Sequence, residues 1–195
     1  MKMGRGLRGV ASRFGRPGLR QGGMLPPAPN LLTNSRLLGA ASGAPGTAPT
    51  GWLAPSALGT ITVAPLDDGN SLRVATAAAR HYFGQNVAVL ASTIYVLSVY
   101  VDVTTTTQVQ QAISIATLPA GATVAYRLNG AAAVGSTSLS AGSGHRLEAI
   151  LTVGATPGTP SWRFGVGASS NATADLTFSR PKLEVGSVAT AYVAT

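Results

Sequence analysis

The stretch that decides the fold reads Tyr95-Val96-Leu97-Ser98-Val99-Tyr100-Val101-Asp102-Val103. Its odd-numbered residues are all large and apolar, whereas Ser98, Tyr100 and Asp102 occupy three of the even-numbered positions. Because successive side chains of a β-strand point to opposite sides, this period of two predicts a strand with one buried face. We therefore expect Val96, Ser98, Tyr100 and Asp102 to face outward.

The same alternation recurs along the rest of the chain. It is found in Ile61/Val63, Leu72/Val74, Val87/Val89, Ile113/Ile115, Val124/Tyr126/Leu128, Leu147/Ala149/Leu151/Val153, Trp162/Phe164/Val166 and Leu176/Phe178. Turn-forming residues separate these runs, among them Asp67-Asp68-Gly69-Asn70 and Asn129-Gly130. About nine short strands without an amphipathic helix predict an all-β domain, specifically an antiparallel jelly-roll β-sandwich.

Charge divides the chain into unequal parts. Only 10% of the residues are charged, and the 14 Lys and Arg outnumber the 6 Asp and Glu. Six of these bases and none of the acids lie in residues 1–23, where glycines and Pro17 disfavour a helix. We interpret residues 1–23 as an Arg/Gly-rich anchoring arm, 24–29 as a stiff Pro-rich spacer, and 30–195 as the jelly-roll β-sandwich domain.

The arm carries the candidate anchoring residues, which are Arg5, Arg8, Arg13, Phe14, Arg16 and Arg20. Such a segment is compatible with phosphate binding, with an organelle-targeting peptide, with docking onto an acidic protein surface, or with a tail that has no role. Apolar residues among the charges favour docking, with the arm ordering on its protein partner through charge-assisted arginine bonds. Nucleic acid is therefore not the expected partner.

Several kinds of chemistry are disfavoured by the composition. The absence of cysteine excludes disulfides and thiolate sites, and two histidines, His81 and His145, do not make a multi-histidine metal centre. We expect both to be surface residues at strand starts. No catalytic motif is present, so the sequence predicts a protein that is not an enzyme and needs no cofactor. The Asp67–Asn70 loop supplies too few oxygens for calcium by itself and is interpreted as a turn.

Two terminal stretches carry a resemblance. The domain opens with Asn30-Leu31-Leu32-Thr33-Asn34-Ser35 and Pro49-Thr50-Gly51-Trp52. It ends with Phe178-Ser179-Arg180-Pro181-Lys182-Leu183-Glu184-Val185-Gly186-Ser187-Val188-Ala189-Thr190-Ala191-Tyr192-Val193. Together with the strands around 82–87 and 93–101, they resemble a β-sandwich module common in bacteriophage structural proteins. That module is similar to jelly-roll carbohydrate-binding modules. The resemblance covers about residues 30–195 and implies a jelly-roll fold and a virion context, without assigning a catalytic or ligand-binding residue.

Because the module is similar to carbohydrate-binding modules, a sugar-binding site is the function expected of its outward-facing residues. Outward residues that combine an aromatic ring with polar groups are Tyr100, Asp102, Arg127 and Arg163, and we take them as the candidate glycan-binding set. The alternative for Tyr100 is packing under a loop or against a neighbouring subunit. Trp52 and Trp162 are interpreted as core residues because apolar neighbours or the opening motif surround them.

These observations predict a virion structural protein at the particle surface, assembled in the cytoplasm of a bacterial host. The arm is expected to bind other virion proteins of the capsid or tail. Because no shaft-like repeat is present, a head decoration or spike is favoured over a tail fibre, and symmetric capsid sites favour a homo-oligomer. The alternatives are an adhesion module of a tail fibre or tail tip that binds host surface glycan, and a capsid-interior protein that contacts the genome. No apolar run reaches the roughly 18–20 residues of a membrane span.

Overall fold

The computed structural model describes residues 28–54 and 59–194, which form an all-β structure with antiparallel sheets. The predicted arm lies outside the described residues, and with it the candidate anchoring residues Arg5, Arg8, Arg13, Phe14, Arg16 and Arg20. The helix in the described ranges is the four-residue α1 (Val109–Ala112). The prediction of an all-β fold is therefore confirmed.

Twelve strands are present in the described ranges. They are β1 (Thr60–Leu66), β2 (Gly69–Ala79), β3 (His81–Asn86), β4 (Ile94–Thr105), β5 (Thr107–Gln108), β6 (Ile113–Ala116), β7 (Thr123–Leu128), β8 (Ala131–Ala133), β9 (Ser138–Leu139), β10 (Gly142–Thr152), β11 (Ser161–Val166) and β12 (Ala172–Val185). A long sheet has the order β1-β2-β12-β4-β10-β7-β8, and a short sheet has the order β3-β11-β6. Strands β5 and β9 form a separate two-stranded ribbon.

Strand β4 lies at the centre of the long sheet, between β12 and β10. Its five alternating apolar residues are at most 5% exposed, which confirms the inner face that the period of two predicts; they are Tyr95, Leu97, Val99, Val101 and Val103. The packing of this face follows from the alternation because each strand turns every second side chain toward the same side.

The outer face of β4 differs from the prediction. Tyr100 and Asp102 remain partly or fully exposed, but Val96 and Ser98 are buried. Val96 is covered by residues 186–194, here called the C-terminal strap, whose Ala189 packs with Val96 and Ile150 in a small apolar cluster. The expectation that all four even-numbered residues face solvent was therefore wrong at Val96 and Ser98.

Aromatic residues join the short sheet to the inner face of the long one. The ring of Phe164 on β11 lies 5.0 Å from Trp52, 5.7 Å from Phe83 and 5.4 Å from Phe178, measured between centroids. Phe178 belongs to β12 of the long sheet, so both sheets share one core. Trp52 and Trp162 are buried, as predicted.

The turns follow the residues that favour them. Asn129 and Gly130 join β7 to β8 with φ angles of 52° and 81°, the left-handed pair that a two-residue hairpin turn requires. Asp67 and Asp68 form the turn between β1 and β2 that the sequence predicts.

Both histidines differ from the expectation of surface residues at strand starts. His81 does open β3, but it is buried and its Nδ1 accepts a hydrogen bond from the Gly59 amide at 2.7 Å. His145 is half-buried and lies inside β10 rather than at its start. Each position depends on chain segments that are distant in sequence, which a local pattern does not reveal.

The two ends of the domain meet at Asn30. Its Oδ1 accepts hydrogen bonds from the amides of Leu32 (3.1 Å) and Leu183 (3.0 Å), and its Nδ2 donates to the Pro181 carbonyl (3.1 Å). The Leu31 amide also donates to the carbonyl of Leu183 at 2.7 Å. The opening and closing motifs of the sequence therefore lie side by side, and their polar members hold the backbone together.

Gly165 provides a test of the close approach between β3 and β11. Its φ is 141°. A Cβ at this position would lie 2.6 Å from the His81 carbonyl oxygen and would also clash with the Cα of Tyr82. We expect Gly165→Ala to lower the free energy of unfolding by about 3 kcal/mol or more, because overpacking adds to backbone strain. Urea unfolding of the full chain measures this loss.

The matched control for this substitution is Gly144→Ala. Gly144 also has a positive φ, 70°, but no atom lies within 4 Å of the position that a Cβ would occupy there. Only the conformational cost applies at this site, about 1 kcal/mol. Equal losses in the two variants would contradict the crowding inferred at Gly165.

Candidate functional site

The four predicted glycan-binding residues lie on two different surfaces. Tyr100 and Asp102 on β4, and Arg127 on β7, belong to the outer face of the long sheet. Arg163 belongs to β11 of the short sheet, where its neighbours Trp162 and Phe164 face the core. Arg163 therefore points away from the core on the opposite side, so the four candidate residues do not share one surface.

On the long sheet, the polar partners of Tyr100 and Asp102 come from β10. The guanidinium of Arg146 lies 5.8 Å from the centroid of the Tyr100 ring. The Asp102 carboxylate accepts a hydrogen bond from the Gly144 amide at 2.7 Å. Both interactions join β4 to its neighbour β10, so they add to the contacts that pair these two strands.

Two arginines of this face hold the C-terminal strap. Arg127 donates to the Ser187 carbonyl at 2.8 Å, and Arg146 donates to the Thr190 carbonyl at 2.7 Å. The carboxylate of Glu148 lies between them, 3.6 Å from Arg127 Nη1 and 3.7 Å from Arg146 Nε. Arg127 therefore has a structural role in this arrangement, and its guanidinium does not present an open surface to a ligand.

A buried ion pair lies beneath the strap. Lys182 Nζ is 3.0 Å from Glu184 Oε2, and each side chain is 1% exposed. Glu184 also accepts from the Thr190 amide (2.6 Å) and hydroxyl (2.7 Å), while Lys182 donates to the Thr190 hydroxyl and to the Ala191 carbonyl (2.8 Å). Buried charges are tolerated when they are paired and hydrogen-bonded in this way.

The sequence interpretation did not single out Lys182 and Glu184. Two signals were present: the residues stand two apart on one strand, and both belong to the closing motif that carries the resemblance. Near the end of the strap lies Tyr192, whose hydroxyl is 3.2 Å from Ser35 Oγ. Burial raises the pKa of Tyr192 above its ordinary value.

Asp68 and Asp175 are each paired with an arginine. Asp68 lies 2.7 Å from Arg180 Nε, which removes one of the carboxylates considered for calcium. Arg73 donates two hydrogen bonds to Asp175, and this contact holds the pKa of that carboxyl below its usual value. In residues 28–54 and 59–194, no three His, Asp or Glu side chains gather as metal ligands.

The outer face of the short sheet carries a different arrangement, here called the arginine–tyrosine cluster and formed by Arg80, Tyr82 and Arg163. The guanidinium carbons of Arg80 and Arg163 lie 5.1 Å and 4.6 Å from the centroid of the Tyr82 ring. Neither arginine forms an ion pair within the described ranges. Cations at this distance from a ring are attracted to its face.

Sequence reasoning found only Arg163 of this cluster. Arg80 directly precedes β3 and stands two residues before Tyr82, so a period of two that extends to Arg80 places both on one face. Their proximity to Arg163 follows from the pairing of β3 with β11, in which Tyr82 lies opposite Gly165 and Gly84 opposite Arg163. The spacing was therefore visible in the sequence, but the pairing was not.

A groove of about 470 Å³ lies beside the cluster; its lining residues are Leu31, Thr33, Gly51, Leu53, Gln85, Asn86, Val87 and Ala88. The Gln85 side chain fixes one wall by accepting from the Thr33 amide (3.0 Å) and donating to the Thr33 carbonyl (2.6 Å). Leu53 pairs with Gly84, and Gly84 pairs with Arg163. Leu53 of the groove and Arg163 of the cluster are therefore separated by one glycine of β3.

Within the described ranges, no helix has the length and apolar character needed to cross a bilayer. No protein-family model and no curated protein matches this chain.

Proposed function

We propose that this protein is a structural component of a phage-type virion, a head decoration or spike at the particle surface. Its arm, residues 1–23, attaches it to other virion proteins, and its domain, a β-sandwich of jelly-roll type, is displayed outward. The observation that carries this proposal is the division of charge: six bases and no acid in the arm, against eight bases and six acids in the remainder.

The ion pairs of the domain strengthen this argument. Four carboxylates are paired internally, through Asp68–Arg180, Asp175–Arg73, Lys182–Glu184 and the contacts of Glu148 with Arg127 and Arg146. Most of the domain's charge is therefore compensated within the fold. The arm is the part of the chain whose excess charge attracts a partner over distance.

The architecture is consistent with a jelly-roll module. Two antiparallel sheets of seven and three strands enclose one aromatic core, and Asn30 joins the opening segment to the last strand. Repeated copies on a symmetric particle favour homo-oligomeric attachment. This support concerns the fold and the mode of display; the virion context itself comes from the resemblance of the two terminal motifs.

Removal of the arm is the direct experiment. We expect a protein that lacks residues 1–23 to fall at least about tenfold in its level on purified particles, because several charge-assisted bonds of roughly 1.5–3 kcal/mol each are lost. Immunoblotting of purified particles measures incorporation. Normal incorporation of the truncated protein would refute the arm as the anchor.

Phe14→Ala separates docking on a protein from contact with the genome. This substitution keeps the charge of the arm, so phosphate binding is expected to persist while docking on a protein surface weakens. Incorporation that is lost with Phe14→Ala supports the docking role. Incorporation that is indifferent to Phe14 but falls steeply with salt supports the capsid-interior alternative.

A second candidate function is adhesion to host surface polysaccharide. The arginine–tyrosine cluster favours it, since it places an aromatic ring beside two cations, and the groove with its apolar lining adjoins the cluster through the pairing of Leu53 with Gly84. A shallow site of this kind binds with roughly millimolar affinity, and many copies on one particle raise the avidity. Particles without the protein that adhere as well as intact particles would refute this function.

A further inference from the structure

We propose that the outer face of the short sheet binds an anionic glycan. Arg80 and Arg163 recognise a carboxylate or phosphate group on the sugar, and the Tyr82 ring supplies a platform beside it. This inference rests on the adhesion function proposed above, and it assigns to that function a surface and a class of ligand.

The first argument is the absence of an acidic partner. All six carboxylate side chains of the sequence lie in the described ranges, yet none is paired with Arg80 or Arg163 there. By contrast, Arg73, Arg127, Arg146, Arg180 and Lys182 each lie within ion-pair distance of a carboxylate. Two cations around one ring therefore present an uncompensated charge that an anionic group would match.

The second argument is that both guanidiniums are already held in position. Arg80 donates to the carbonyls of Gly167 (3.2 Å) and Ala168 (3.3 Å). Arg163 Nε donates to Ser161 Oγ at 3.1 Å, and its guanidinium carbon lies 4.6 Å from the centroid of the Tyr82 ring. A preorganised donor loses less conformational entropy when it binds, so affinity rises without new contacts.

The third argument is the shape of the surface. Gly84 lies between Leu53 and Arg163, and a Cβ there would approach Arg163 Cγ to 3.3 Å. With glycine at this position, the stem of Arg163 lies over the backbone that pairs with Leu53, a residue of the groove. The two strand spacings from Leu53 to Arg163 span roughly 10 Å, so one extended ligand can reach both.

The lining of the groove favours a glycan over a nucleic acid. Leu31, Leu53 and Val87 offer apolar surface that suits the C–H face of a sugar ring. A nucleic acid carries a phosphate at every residue and is bound by a stripe of cations, whereas the short sheet offers one pair. The arrangement therefore fits a polymer whose charges are spaced apart.

The experiment titrates the full chain at about 0.15 M salt, where long-range attraction by the arm is screened. The probes are a hexuronate oligosaccharide, its carboxyl-reduced neutral form, and a glycerol-phosphate oligomer, so that the carboxylate and phosphate sources are distinguished. We expect at least one anionic probe to bind, and the neutral form to bind about tenfold more weakly because charge-assisted bonds are lost. Failure of both anionic probes to bind would overturn the proposal.

Substitutions then locate the site. Arg163→Gln and Tyr82→Leu are each expected to weaken binding of the anionic probe by about fivefold to tenfold. The matched control is Arg36→Gln, which removes the same charge from an exposed arginine beside the turn that joins β1 to β2. Thermal unfolding confirms that the variants fold.

Three results would overturn the assignment. Equal weakening by Arg163→Gln and Arg36→Gln would indicate attraction to the whole chain rather than a site. Weakening by Tyr100→Leu but not by Tyr82→Leu would assign binding to the long sheet. A DNA oligonucleotide that binds more tightly than the glycan and loses affinity with Arg163→Gln would assign the cluster to nucleic acid.

Particles that carry Arg163→Gln distinguish the site from the function. If the purified variant no longer binds the oligosaccharide while particles that carry it still adhere normally, the site is supported and the adhesion function is refuted. If adhesion requires the protein but is indifferent to Arg163→Gln and Tyr82→Leu, the adhesion function is supported and the site is refuted.

Discussion

Phe164→Ala is expected to lower the free energy of unfolding by about 3–5 kcal/mol, the range for removing a large aromatic from a packed core. The Phe164 ring contacts Trp52, Phe83 and Phe178, so its loss leaves a cavity between the two sheets. These neighbours come from separate segments of the chain, which limits how far the cavity can collapse. Urea unfolding, followed by tryptophan fluorescence, measures the change.

Leu90→Ala serves as the control for Phe164→Ala. Leu90 is also a large apolar residue, but it is 70% exposed. Its truncation is expected to change stability by no more than about 0.5 kcal/mol, as for other surface substitutions. A loss at Phe164 that is no larger than the loss at Leu90 would show that this aromatic cluster does not hold the two sheets together.

Lys182→Met is expected to cost about 3–5 kcal/mol, because it leaves the Glu184 carboxylate buried without its cation. Both side chains are 1% exposed, so water does not replace the lost partner. The C-terminal strap is expected to loosen as well, since Lys182 donates to Thr190 and Ala191. Equilibrium unfolding gives the free energy, and amide hydrogen exchange of residues 186–194 reports on the strap.

The double substitution Lys182→Met with Glu184→Leu tests whether this loss comes from the unpaired charge. Replacing both members of a buried ion pair by apolar residues is often close to neutral, so the double variant is expected to be more stable than Lys182→Met alone. The Thr190 amide still loses its acceptor, at roughly 1–3 kcal/mol. A double variant with the summed loss of both single variants would contradict the coupling of the two charges.

The division between local and tertiary information is clearest on β4. The alternation of apolar residues was sufficient to predict its buried face, and Asn129-Gly130 was sufficient to predict a turn. Both depend on residues that are adjacent in sequence. The burial of Val96 was not predictable in this way, because the residue that covers it, Ala189, comes from the C-terminal strap.

The candidate site was predictable only in part. Of the arginine–tyrosine cluster, the sequence interpretation proposed Arg163, and it combined that residue with Tyr100, Asp102 and Arg127 as though all outward positions shared one surface. Two sheets that share a core have two outer faces, and alternation alone does not say which sheet a strand joins. The pairing of β11 with β3 decided that Arg163 lies beside Tyr82.

The sequence by itself determined that this protein is all-β, which residues of its clearest strands face inward, and that its excess charge is concentrated in residues 1–23. Only the tertiary structure decided that Lys182 and Glu184 form a buried pair under the strap, and that Arg80 and Arg163 meet at Tyr82 without an acidic partner in the described ranges. The physical reason is that strand periodicity comes from the local geometry of the backbone. Sheet pairing and coverage depend instead on contacts between residues far apart in the chain.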